Sequence, residues 1–271
     1  MGTQQTHTRR NVLKTGIAAA AAVFPSIEAL GEPKQPGETR IIYFGGDYVH
    51  NGVAQERYIR RTFAAMKCRM FFVQASRFLT PDVFAKADLI MMTRIGTHDP
   101  QGFCPDGLVE QRPEPDMFMN PEMENAIDRN VRVRGMGFIA FHCTLRNPDK
   151  KKLMALLGCE SRKGSSLQDI ELFDFNPNHP ITQGFSDFEL EYEENQQTVI
   201  ENNEVELLFK CKGAKDGLVN TAGWCISRGN GRVVALLPGH SSGTWSHPQF
   251  SELYWRAAHW ALKREIPPLE R

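Results

Sequence analysis

Three histidines follow short apolar runs that come from distant parts of the chain. His50 comes after Arg40-Ile-Ile-Tyr-Phe44 and a Gly45-Gly46-Asp47-Tyr48-Val49 turn, His142 after Gly137-Phe-Ile-Ala-Phe141, and His240 after Gly231-Arg-Val-Val-Ala-Leu-Leu-Pro-Gly239. Neutral imidazole is a common ligand for divalent metals and also moves protons near neutral pH. One histidine at a strand end is usually structural. Three of them at one edge of a sheet could share a metal. An acidic partner is available in Glu191-Tyr192-Glu193-Glu194. Strict strand alternation would send Glu191 and Glu193 to one face and Glu194 to the other.

Other residues compete for a role. Cys143 stands beside His142, but an amidotransferase nucleophile elbow reads Gly-x-Cys-x-Gly, and here the surroundings are Ala140-Phe-His-Cys-Thr-Leu145. A Cys143-dependent amidase and a small buried filler are both compatible with that context. Three further histidines are outer-shell candidates. His98 lies in a long Gly- and Pro-rich loop over 94–120, His179 in the turn-rich Asn176-Pro-Asn-His-Pro180, and His247 before Pro248, where it could cap a helix or reach back toward His240. Gly45-Gly46 follows the first strand, but neither GxGxxG nor a P-loop lysine is present, which argues against nucleotide binding.

The elements that must position these groups are legible from periodicity. Runs at 40–44, 69–73, 87–92, 137–141 and 231–237 are too short and too uniformly apolar for surface helices and read as buried strands. Helical patterns fall between them. One covers 53–66, with Ala54, Ile59, Phe63 and Met66 on one face and Glu56, Arg57, Arg60 and Arg61 on another. Others begin at Pro81, Pro121 and Asn147-Pro148, and the last begins near Pro248 with Phe250, Leu253, Tyr254, Ala257 and Ala261 on one stripe. Strand–helix alternation predicts a mostly parallel sheet covered on both faces. Residues 171–227 hold strand-like pieces with few helices between them, which predicts antiparallel additions at one edge.

Length and charge narrow the function. The first 31 of 271 residues carry Thr8-Arg9-Arg10-Asn11-Val12-Leu13-Lys14, an Ala-rich apolar stretch, and small residues at Ala29 and Gly31. That order is the one a twin-arginine export signal requires, and the apolar stretch is too short to span a membrane. Residues 32–271 are then expected to form one domain, periplasmic or otherwise exported, with no stable membrane insertion once the signal is removed. Acidic and basic residues balance at 32 each, and losing Arg9, Arg10, Lys14 and Glu28 leaves a charge of −2, no footprint for nucleic acid. Six cysteines without a CxxC pair do not read as a zinc knuckle or a disulfide framework.

In these pieces the chain resembles the ThuA-like, trehalose-utilisation family, part of the class I glutamine amidotransferase-like superfamily. The resemblance rests on Gly45-Gly46 through His50, the strand Gly137–His142, His179-Pro-Ile-Thr-Gln-Gly184, Glu193-Glu194, and Gly231 through Pro238-Gly-His240 with the closing helix, together spanning about residues 40–262. It implies a three-layer α/β/α, flavodoxin-like fold in which a histidine-lined pocket replaces the glutaminase cysteine. It also implies a sugar-type substrate and a divalent metal, with zinc the candidate. Carried over to this chain, the metal ligands are His50, His142, Glu194 and His240, and the catalytic groups Glu194, His142 and His240. One departure touches substrate contacts: the family usually has a tyrosine shortly after the acidic pair, where this chain has Asn195-Gln196. The expectation is an exported metal-dependent enzyme acting on a sugar or oxidised sugar, by hydrolysis, isomerisation or elimination, with self-association left open. The alternative is a non-catalytic sugar-binding module on the same scaffold.

Overall fold

The uniformly apolar runs form the parallel side of the sheet, with β2 at its edge and the others inside, where helices cover both faces and a strand needs no polar side. In the computed structural model, β1 (Arg40–Phe44), β2 (Arg69–Val73), β3 (Leu89–Met92) and β4 (Gly137–Phe141) pair in parallel in the order β2-β1-β3-β4. Every residue of β1, β3 and β4 is buried. The structure describes residues 27–47, 49–94, 118–147, 149–161, 167–200 and 202–267. The export motif, and His98 with the rest of loop 95–117, lie outside the described residues.

The second half of the chain builds the antiparallel side. β5 (Glu160–Ser161) pairs with a distant two-residue strand, β8 (Thr198–Val199), apart from the main sheet. β6 (Leu167–Phe173), β7 (Phe188–Glu194), β9 (Glu206–Gly213) and β10 (Val219–Arg228) are joined to the parallel strands through β11 (Gly231–Leu236). β11 runs parallel to β4, and β10, β9, β6 and β7 follow in antiparallel order, completing nine strands. The mostly parallel sheet with antiparallel edge additions is the architecture expected from the sequence.

Helices α1 (Gly52–Thr62), α2 (Pro81–Lys86), α3 (Pro121–Arg129), α4 (Lys151–Leu157), α5 (Ser242–Ser246) and α6 (Pro248–Ala261) flank it. α1, α5 and α6 pack together on one face, and α2, α3 and α4 form the other layer. Asn51 and Asn120 cap α1 and α3 by accepting backbone N–H bonds from Ala54 and Met123. All five apolar residues of the closing stripe are buried. Several details differ from the sequence reading: α1 stops at Thr62 rather than Met66, and α4 starts at Lys151 rather than at Asn147-Pro148. Glu56 is buried and paired with Arg60 rather than solvated. The closing helix is preceded by the short α5, with the break at His247 because Pro248 supplies no N–H to continue it. Residues 27–31, read as the end of the signal, form a helical turn whose Leu30 is buried and whose carbonyl accepts from Arg40.

Candidate functional site

The parallel strands β1, β4 and β11 end at one edge of the sheet, and each chain then turns sharply. After β1 the chain crosses itself: a Cβ on Gly46 would stand 2.6 Å from the Gly52 Cα, and Gly46 has φ +79°. The glycine pair therefore serves a backbone crossing, with no phosphate needed to explain it. Asp47 gathers this turn. Its Oδ1 accepts from the N–H groups of Val49 and His50 and from His50 Nδ1 at 2.7 Å. After β4, His142 takes φ +42°, a left-handed conformation uncommon outside glycine, and starts a helical turn. The strand-to-helix turn after β4 thus presents an imidazole at the sheet edge. After β11, Gly239 fits between His142 and Trp245, each of which a Cβ would approach to 3.2 Å. The fully buried Trp245 donates its indole N–H to the Gly239 carbonyl at 2.9 Å and packs on Tyr43, Phe141, Phe250 and Tyr254.

These turns bring His50, His142 and His240 together, with ring centroids 5.0–5.3 Å apart and one nitrogen of each within 4.8 Å of the others. His50 and His142 are buried; His240 is partly exposed. Because Asp47 takes the His50 Nδ1–H, the His50 Nε2 lone pair faces the cluster, 3.2 Å from His240 Nδ1. Two imidazole nitrogens at that distance need a shared proton or a shared cation between them. His142 Nδ1 lies 3.1 Å from Gln196 Nε2 and 3.4 Å from the Leu237 carbonyl, the acceptor for an Nδ1 proton. In that tautomer Nε2, buried without a hydrogen-bond partner among the described residues, is a lone pair.

The electrostatics favour lone pairs over protons at His142. Burial pushes its pKa well below the ordinary histidine value, and the neighbouring His50 and His240 push it further. Burial also opposes charge on His50, but the Cys143 sulfur and the Asp47 carboxylate outweigh it and raise its proton affinity. The residues fit a divalent metal. Metal–nitrogen bonds of about 2.0–2.1 Å in a tetrahedral site separate ligand nitrogens by about 3.3–3.4 Å, against 3.2 Å between His50 and His240, and a His142 nitrogen lies within 4.8 Å of both.

The acidic pair divides its work. β7 carries a bulge: Glu191 and Tyr192 together oppose Asp169, with Gln168 opposite Glu193 and Ile170 opposite Leu190. Alternation breaks there, so Glu191 is exposed while Glu193 is completely buried, correcting the expectation that they share a face. Glu193 accepts the backbone N–H groups of Gly239, His240 and Ser241 and the Thr244 hydroxyl, fixing the corner that carries His240. Burial pushes its pKa up to about 7, although these donors pull it down. Glu194, carried over as a metal ligand, is not among the residues whose donor atoms converge. Its carboxylate accepts from Gln196 and Arg146, and Gln196 stands between it and His142.

The remaining candidates separate cleanly. His247 stacks on Phe188 with centroids 4.9 Å apart and is not among the converging donors. His179 stands in a different cluster with Cys225 and Glu206. Cys143 is buried, with Sγ 3.7 Å from His50 Nε2, and burial raises its pKa, which disfavours the thiolate a nucleophile needs. Sequence reasoning missed Asp47 and the roles of Glu193 and Gln196. Asp47 had a signal, an acidic residue three before a histidine in a glycine turn; Glu193 was hidden by the bulge.

A mixed α/β/α sheet whose parallel strands end in a histidine cluster defines the class of fold. The family model for trehalose utilisation, ThuA, matches residues 40–261, and the chain belongs to that family. Solved structures agree on the fold. A putative ThuA-like protein from Bacteroides uniformis superposes with a TM-score of 0.62 at 14% identity, over 85% of this chain and 93% of that one. A putative GMP synthase component from Thermoplasma acidophilum gives 0.52 at 7% identity, over 83% and 94%. A cold-adapted β-galactosidase from Rahnella sp. R3 gives 0.54 at 12%, over 84% of this chain but 32% of that longer one. No curated protein sequence matches the chain.

Proposed function

We propose that this protein is an exported enzyme acting on a sugar or an oxidised sugar derivative, with His50, His142 and His240 holding a divalent metal, zinc being the candidate. The family's link to trehalose utilisation supports a carbohydrate role. The observation that carries the reading is the buried, unpartnered Nε2 of His142, beside a His50 ring whose other nitrogen is fixed by a carboxylate. A divalent ion bound there would polarise a carbonyl or activate water.

The protein's own groups divide the rest. Asp47 sets the His50 tautomer, Gln196 holds the His142 ring, and Glu193 fixes the backbone of His240. Substrate approaches from the side of His240, the partly exposed member of the three. Asp47 and Glu193 are buried and committed to their donors, whereas Glu194 stands at the rim beside the half-exposed Arg146. Glu194 is the carboxylate placed to take a proton from the substrate or return one, and Arg146 offers its guanidinium to a sugar oxygen.

Elemental analysis of the purified protein tests this reading, with His142→Ala and His240→Ala alongside. Stoichiometric metal in the wild type, lost from both variants together with turnover, is expected. A metal-free wild type that still binds sugar would replace the proposal with a sugar-binding module.

A further inference from the structure

One residue beside the cluster is held in a conformation that its side chain disfavours. Tyr192 has φ +57°, in the left-handed region where a bulky residue is an outlier. Nothing in the sheet forces an aromatic there, since the bulge needs only one additional residue and glycine or asparagine would adopt the angle more readily. Strained residues of this kind persist where the surroundings over-determine them, and they gather at ligand sites. Here the Asp169 carboxylate accepts the Tyr192 N–H at 3.1 Å, replacing the ladder bond lost at the bulge.

The bulge turns Tyr192 outward while its neighbour Glu193 goes in. The tyrosine is 57% exposed, and its ring centroid lies 6.0 Å from that of His240, the histidine that solvent reaches. The same short strand segment thus positions His240 from below, through Glu193, and flanks it from outside with an aromatic face. Arg146 and Glu194, both partly exposed, lie on the same histidine cluster through Gln196.

We infer that Tyr192 is a stacking platform for a pyranose ring, a subsite that presents the sugar to His240. An aromatic face carries negative quadrupole charge, and the axial C–H groups on one side of a pyranose present a positive, apolar surface to it. Hydroxyl and carbonyl oxygens then project from the ring edge, where His240 and Arg146 supply polar partners. An acyclic polyol with the same hydroxyls has no such face and gains nothing from the tyrosine. Tyr192 is a specificity-determining residue for ring-closed sugars, and this inference rests on the sugar reading of the site above.

Saturation-transfer NMR and calorimetric titration with trehalose and methyl α-glucoside test it, with glucitol as the acyclic comparison. Saturation should reach the ring C–H protons, and Tyr192→Ala should weaken trehalose binding by about fivefold to tenfold. Tyr192→Phe keeps the face and should stay within about twofold of wild type. Tyr192→Gly, which favours φ +57°, guards against loss of folding and should weaken trehalose as Ala does, with metal content the same in every variant. Glucitol binding should be the same in all. Tyr192→Ala and Tyr192→Gly that bind trehalose like wild type would overturn the platform and leave the sugar reading standing. A wild type that binds neither pyranoside would overturn both.

Discussion

Among the described residues three groups of three metal-ligand side chains have donor atoms within 4.8 Å. Asp47, His50 and Cys143 adjoin the three-histidine group through His50, and that group and the one around His179 differ in what surrounds the rings. In the first, His50, His142 and His240 meet at the carboxyl ends of parallel strands. Asp47 occupies the outward nitrogen of His50, which leaves the inward one as a lone pair. In the second, His179 approaches Cys225 Sγ at 3.4 Å and the Glu206 carboxylate at 3.9 Å. There the Ile181 N–H donates to His179 Nδ1 at 3.1 Å, so the neutral ring carries its proton on Nε2, facing the sulfur and carboxylate. A proton already fills the position a metal would need. Burial also holds the Cys225 thiol far above its usual pKa, and Trp260 packs on the imidazole. The donor atoms converge to similar distances in the two clusters, but the first offers three imidazoles and the second an imidazole, a thiol and a carboxylate. At His50 the outward nitrogen donates to a carboxylate and leaves the inward one a lone pair, whereas at His179 the outward nitrogen accepts a backbone N–H and leaves the inward one protonated.

The largest expected effect separates them outright. His142→Ala should abolish stoichiometric metal binding, whereas His179→Ala should leave it intact, as plasma emission on the purified proteins would read. Metal lost from the second variant and kept by the first would invert the comparison. Next comes the outward partner: Asp47→Asn keeps size but removes the charge that orients His50, and should weaken metal affinity about 10–100-fold in competition with a chelator. An unchanged affinity would mean that the Asp47 bond is incidental.

The third effect is on stability. His179→Ala removes a buried ring and its hydrogen bond, costing about 2–4 kcal/mol in urea unfolding. The pH dependence has a definite sign. Burial, with Arg232 adding to it, lowers the His179 pKa to about 4, below its ordinary unfolded value of about 6.5. The unfolded chain binds more protons in that interval, so the contribution of His179 is complete above about pH 6.5 and is lost as pH falls toward 4. His179→Gln should flatten this part of the profile, and an unaltered slope would place the titration elsewhere. The smallest effect is at Cys143→Ser, expected to keep metal stoichiometry and to change stability by no more than about 1 kcal/mol. Loss of turnover in that variant alone, with metal retained, would restore the thiol as a nucleophile.

The parallel half of the fold was legible because a strand covered on both faces has no polar positions, and Ile41 to Phe44 or Phe138 to Phe141 read unambiguously. The convergence of His50, His142 and His240 followed from strands that all run the same way. The acidic side was not legible. Choosing between Glu193 and Glu194 depends on the register of β7, and a bulge changes register without a sequence mark when the residue in the left-handed conformation is tyrosine rather than glycine. Nor does the sequence distinguish His179 from His142, since which nitrogen a backbone N–H engages is settled only by the turn around it.

The bulge in β7 has a consequence for how such a protein changes over generations. Two residues stand there where pairing needs one, so deleting Tyr192 would restore one-to-one opposition with Asp169 and still leave Glu193 pointing inward. The carboxylate that fixes the His240 corner is therefore insulated from whatever occupies the extra place. A lineage could resize, replace or drop the group at the mouth through a single codon while the interior stays in step. The additional residue acts as a spacer whose outer side is open to selection and whose inner side is not.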